Sequence, residues 1–345
     1  MQNHDPSSCL RVRAPGKLIL SGEHAVVYGN PALAMAVNRY ATASITRELS
    51  PRISFDFSDL PYQRHLSFST LRRMKDRIKR KYRQFTEGHF SIREVLHKPF
   101  ELAQFAFGLF FETLNIALPH GMRVHVQSDI PMGCGMGSSA ATIVSVIYAI
   151  AQHLHLDLST DTLFHLALAA ENMQHGHSSG LDLRVSLQGG CLYMHGSTMT
   201  IRPAPTLSLY LIHTGTPLSS TGRCVEKVAP YFRTGLLSDD FARVTQAMDQ
   251  ALREEQWHDF KEAIQQNHRL LMDIGVVPEK VQQFIDGVEQ TNGVAKICGA
   301  GAVEGDHAGI VLAITDDVAQ LTALCAQYQY TLLPIISEPR GVHVE

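Results

Sequence analysis

Residues 129–144 read DIPMGCGMGSSAATIV, with glycines at 133, 135 and 137 followed by Ser138, Ser139 and an apolar run. Just upstream, MRVHVQSDIP alternates apolar and polar residues as a strand does. Downstream, residues 138–155 carry a helical pattern. The stretch therefore reads as strand, glycine loop and helix start. Glycines let a backbone approach a ligand and take positive φ. The first amides of a helix are unpaired and carry the positive end of its dipole. Together these make a site for an anion, phosphate above all, and a first-turn serine hydroxyl can also ligate Mg2+. Two familiar anion motifs fail on spacing. A dinucleotide fingerprint needs G-x-G-x-x-G and a P-loop needs G-K-[ST], whereas this loop runs G-x-G-x-G-S-S without a lysine. On the loop alone, a tight turn with no ligand remains a rival reading, and the question stays open.

The surrounding chain is long enough, at 345 residues, for about two domains and a sizeable core. Its formal net charge of −3 argues against nucleic acid as the main partner. The six cysteines (Cys9, Cys134, Cys191, Cys224, Cys298 and Cys325) include no C-x-x-C pair, so neither a disulfide framework nor a structural zinc site is expected and a reducing cytosol fits. The start, MQNHDPSSCLRV, lacks the apolar core of a signal peptide. The longest apolar stretch, near 140–151, is broken by Thr142 and Ser145 and is too short to span a bilayer.

Patterning predicts a mixed α+β chain. KLILSG and YATASITREL read as strands. Residues 70–86 place Leu71, Met74, Ile78, Tyr82 and Phe85 on one stripe of an amphipathic helix. Residues 99–117 read as a more buried helix with Pro99 in its first turn, and 160–173 as a helix capped by Ser159 or Thr160. LRVSLQGGCLYMHG reads as a strand pair or hairpin. After RPAP at 202–205 come a strand, LSLYLIHTG, helices near 223–234, 239–253, 255–273 and 278–290, strands VAKICG and AGIVLAI, a helix near 315–327 and a strand, YTLLPII. A boundary near 200 divides an N-terminal unit, 1–200, from a C-terminal unit, 201–345.

Two further stretches bear on the loop. APGKLILSGEHAVVYG, residues 14–29, places Lys17 at the head of a strand and Glu23-His24 after its end. ENMQHGHSSGLDLRVSLQGG, residues 171–190, places Glu171 at a helix end and Asp182 after a glycine-serine turn. Singly, these residues read as a surface lysine, a capping acid and a turn acid. His175 and His177 lack a third metal ligand nearby in sequence.

Taken together, the stretches resemble the GHMP small-molecule kinases, and among them the enzymes that act on mevalonate. APGKLILSGEHAVVYGNPALAMAV is similar to their first motif, PMGCGMGSSAA to their phosphate loop, and HGHSSGLDLRVSLQGG to the segment bearing the catalytic aspartate. KICGAG at 296–301 falls where the third, glycine-rich motif belongs. The resemblance implies a two-domain GHMP-kinase-like α+β fold with the active site in the interdomain cleft. It implies an ATP- and Mg2+-dependent kinase that phosphorylates the primary hydroxyl of mevalonate. Asp182 and Lys17 would be catalytic, and Ser139 and Glu171 would hold Mg2+. Gly133, Gly135, Met136, Gly137, Ser138, Ser139 and Ala140 would bind the nucleotide, and Glu23, His24 and Thr221 would face the acceptor. Three departures stand out. Ser178 replaces a proline, Leu183 replaces an asparagine, and the third motif loses two glycines while Glu304 and Asp306 appear. Acids beside a triphosphate would repel it unless turned away or bridged by metal.

Residues 72–83 carry eight Lys or Arg. The preferred reading is a solvated helix face, with anionic contacts or steering of nucleotide phosphates as rivals. The implied partner is a small-molecule acceptor, with neither nucleic acid nor membrane, and a homodimer is compatible. Runner-up functions are a phosphomevalonate or sugar kinase and a non-catalytic binding protein that kept the fold.

Overall fold

The computed structural model describes residues 10–59, 62–89, 91–235 and 237–345. The first half runs β1 (Arg11–Ser21), β2 (Ala32–Glu48), β3 (Ile53–Phe57), β4 (Tyr62–Leu66), α1 (Phe68–Thr86), α2 (Pro99–Thr113), β5 (Gly121–Ser128), α3 (Ser138–His153), α4 (Thr160–His175), α5 (Leu181–Gln188), β6 (Cys191–His195) and β7 (Thr198–Arg202). The second half runs β8 (Leu209–Gly215), α6 (Thr221–Arg233), α7 (Ser238–Arg253), α8 (Trp257–Asp273), α9 (Glu279–Glu289), β9 (Val294–Ile297), β10 (Gly309–Ile314), α10 (Val318–Tyr328), β11 (Thr331–Ile335) and β12 (His343–Val344). The N-terminal stretch with Cys9 lies outside the described residues.

Two sheets result. The larger has the order β12-β1-β2-β5-β3-β4, with β6 and β7 branching from β2; the smaller has the order β11-β8-β10-β9. They change over between Arg202 and Leu209, but the last strand crosses back. Val344 pairs with Val12 and His343 with Arg13, so residues of the C-terminal half complete the first sheet.

β1 is buried almost continuously because α3 and α5 cover it and α7 and α8 also touch it. α2 is apolar nearly all round because α1, α3 and α4 enclose it. The Glu101 carboxylate accepts the His97 and Lys98 amides at its start (2.7 and 3.2 Å). One core joins both halves: Leu18, Met35, Phe55 and Phe107 pack in the same cluster as Met248, Ile264 and Leu312. A second, with Phe232, Phe241 and Phe284, lies under the smaller sheet.

One element departs from its pattern. Residues 183–188, expected as a strand, form most of α5, and the hairpin is β6–β7 alone. Leu181, Leu183, Val185 and Leu187 alternate as in a strand, yet Ser186 is buried too. Burial on several sides removes the need for either period, and Gly180 and Gly189, both at positive φ, start and stop the turn of helix.

Candidate active site

The loop 133–137 is held against β1 and against the third glycine segment. Gly133, Gly135 and Gly137 take φ of 71°, 88° and 72°, a region other residues enter at a cost. The Lys17 amide donates to the Met136 carbonyl (2.9 Å). A Cβ on Gly137 would stand 2.9 Å from Lys17 Cγ, and one on Gly135 2.6 Å from the Cys298 carbonyl oxygen. Gly299 returns the contact, its Cβ position lying 2.7 Å from Gly135 Cα. The alternating glycines thus allow two backbones and a lysine to meet. No side chain caps α3 at Gly137, so its first amides stay open to an anion.

Lys17, only 3% exposed, reaches across the loop. Its Nζ donates to the Gly135 carbonyl (2.9 Å) and lies 3.3 Å from Asp182 Oδ1. Asp182 sits in the first turn of α5. Glu171, near the end of α4, is buried, and its carboxyl is pushed up to about 8, first by burial and then by the Asp182 charge. The Ser178 hydroxyl donates to it (2.8 Å), while the Ser178 amide donates to Asn172 Oδ1 (2.9 Å). Both bonds depend on the serine that stands in place of proline. Ser139 Oγ contacts His175 Nε2 (3.2 Å), and burial lowers the His175 pKa. His177 is exposed, and neither histidine joins a cluster of metal-ligating side chains among the described residues.

The expected acceptor pair lies deeper. Glu23 is 1% exposed and forms an ion pair with Lys296 of β9, itself wholly buried. That pair ties the end of β1 to the smaller sheet. His24 takes φ 61° and places Nε2 3.1 Å from the Ala300 carbonyl. Burial lowers its pKa to about 4, so at neutral pH the uncharged ring donates to Ala300 through Nε2. Thr221 opens α6 and lines a cleft with Gly133, Gly135, Ser219, Ala300 and Gly301. Glu304 is exposed and paired with Arg223 of α6, so one of the two added acids is neutralised away from the loop; Asp306 is exposed. Sequence reasoning missed Lys296, although a lysine within VAKICG is itself the signal of a buried pair. It also missed the bonds of Ser178.

The model of the GHMP kinase N-terminal domain matches residues 101–190. A mevalonate kinase of Pyrococcus furiosus is 30% identical over 304 residues, 84% of this chain and 85% of its own length. The chain belongs to the GHMP kinases, in the mevalonate kinase family. The mevalonate kinase of Bos taurus is 28% identical over 346 residues, covering 89% of this kinase and 86% of the relative. The fold of this kinase agrees with the crystal structure of Methanococcus jannaschii mevalonate kinase at a TM-score of 0.81, over 96% of this chain and 99% of that one, at 22% identity.

Proposed function

We propose that the kinase moves the γ-phosphoryl group of ATP to the primary hydroxyl of mevalonate where Lys17, Asp182 and the glycine loop meet. The observation that carries this reading is the reach of Lys17 to both the loop carbonyl and Asp182. Phosphoryl transfer needs positioning and charge stabilisation more than covalent chemistry. The amides from Gly135 to Ser139, with the dipole of α3, suit the nucleotide phosphates, and Gly133, Met136 and Ala140 complete that cradle. Asp182, 30% exposed, orients the acceptor hydroxyl and takes its proton as the new O–P bond forms. Lys17 pairs with that carboxylate and offsets charge on the transferred group. His24 and Thr221 border the acceptor, and Glu23 supports them through Lys296.

The donors fit a hard divalent cation. Glu171 and Asp182 set two carboxylates against one ammonium, and Glu171 is buried with a single hydroxyl donating to it. Ser139 and Glu171 would hold Mg2+, which when bound neutralises phosphate charge. The described cysteines are all free and buried, which suits a reducing cytoplasm. No helix of the described residues is long and apolar enough to cross a membrane.

A coupled ADP-release assay over mevalonate, phosphomevalonate, homoserine and hexoses, with and without a chelator, tests the reading. ADP release with mevalonate alone, abolished by chelation, is expected. Turnover of another acceptor in preference to mevalonate would sink it.

A further inference from the structure

A cation that the mechanism above does not use stands beside the cleft. Arg93 lies in a short 3-10 turn, Ile92–Glu94, between α1 and α2. Its Nε (3.2 Å) and a terminal nitrogen both donate to Ser220 Oγ. Ser220 caps α6 and sits between Ser219 and Thr221, which line the cleft. The turn is held firmly. The Glu94 carboxylate accepts the Ser91 amide (2.8 Å), and Lys81 Nζ donates to the Glu94 carbonyl (2.9 Å). Ile92 packs between Gly176, on the Glu171–Asp182 loop, and Gly222, at the start of α6; a Cβ on either glycine would lie 3.8 Å from it.

The charge balance at this spot is incomplete. Lys17 is taken by Asp182, Lys296 by Glu23 and Arg223 by Glu304. Arg93 has only a neutral hydroxyl, and among the described residues no carboxylate pairs with it. Its guanidinium also stands at the N-terminus of α6, whose first turn contains no acid. A cation at the positive end of a helix dipole is unfavourable, and an arriving oxyanion relieves both. Arginine offers a planar fork of donors that matches such a group.

We infer that Arg93 binds the carboxylate of the acceptor, the end of mevalonate remote from the phosphorylated hydroxyl, and so sets acceptor specificity. The inference rests on the mevalonate-phosphorylating reading of this cleft. The nucleotide phosphates are the rival oxyanion, but the glycine loop and α3 already supply their positive field.

The test compares wild type, Arg93→Gln and Arg93→Lys on mevalonate and on its carboxamide analogue, with KM for ATP measured alongside. Wild type should prefer the acid, and Arg93→Gln should raise KM for mevalonate by about tenfold or more, the usual worth of a charge-assisted bond. That variant should also lose the preference for acid over amide while kcat and KM for ATP hold, and Arg93→Lys should recover part of it. A merely structural loss at the Ser220 contact would lower turnover of both acceptors alike and leave the preference intact, which overturns the inference. A rise confined to KM for ATP overturns it in favour of a phosphate contact. Wild type that turns over no mevalonate removes the underlying reading as well.

Discussion

Asp182 and Lys17 sit 3.3 Å apart with very different access to solvent: 30% of the aspartate side chain is exposed and 4% of the lysine. That asymmetry suits a carboxylate that meets substrate and an ammonium that tunes it from behind. Asp182→Ala and Lys17→Met should each lower kcat by at least ~10²-fold, the scale of removing such a group, with the fold retained by circular dichroism. Near-normal turnover of purified Asp182→Ala would overturn the assignment. These two residues were legible because each stands in a motif read whole. Lys296 was not, because its importance lies in Glu23, 273 positions away. Removing Glu23 leaves a wholly buried ammonium. Glu23→Gln should therefore cost about 3–5 kcal/mol in urea denaturation, and a loss below 1 kcal/mol would show that the pair is not buried in solution.

At the scale of elements, the proposed active site depends on contacts between loops. Gly135 and Gly299 meet backbone to backbone, so Gly135→Ala cannot be relieved by a side-chain shift. With φ at 88° as well, the change should cost ~1–3 kcal/mol and reduce kcat, as measured by denaturation and steady-state kinetics; a stable, fully active variant would mean that the loops do not touch. α1 reaches the site too, since the Tyr82 hydroxyl donates to the Gly176 carbonyl (2.7 Å). The basic character of this helix is partly cancelled. Arg77 pairs with Glu101, Lys75 and Lys79 with Glu112, and Lys81 donates to the Glu94 carbonyl. Arg72, Arg73, Arg80 and Arg83 remain exposed, as a solvated face requires. Amphipathic helices such as α1 were visible in sequence because one stripe repeats. α5 was not, because a short element enclosed on several sides obeys no period.

Across the whole molecule, the two halves share one core, and buried neutral histidines lie near their junction. His24 and His268 each have a pKa lowered to about 4 by burial, His268 also by Lys296. The unfolded chain takes up these protons below about 6.5, the folded chain only below about 4. Their contribution to stability is therefore complete above pH 6.5 and lost as pH falls toward 4, at up to ~1.4 kcal/mol per pH unit for each ring. Urea denaturation between pH 7 and 4.5 should show this slope, and His268→Leu should make it shallower; an unchanged slope would remove His268 from the account. By itself, the sequence determined which segments are helix and strand over most of the chain, and which family its motifs belong to. Local periodicity and glycine spacing are properties of neighbours along the chain. Only the tertiary structure decided that β12 returns to β1, that Glu23 turns to Lys296 rather than to the open cleft, and that Arg93 reaches Ser220. Those pairings join residues far apart in the chain, and burial and charge select them only once the sheets have packed. The lysine absent from the glycine loop is the same kind of case: Lys17 reaches it from β1, more than a hundred residues upstream.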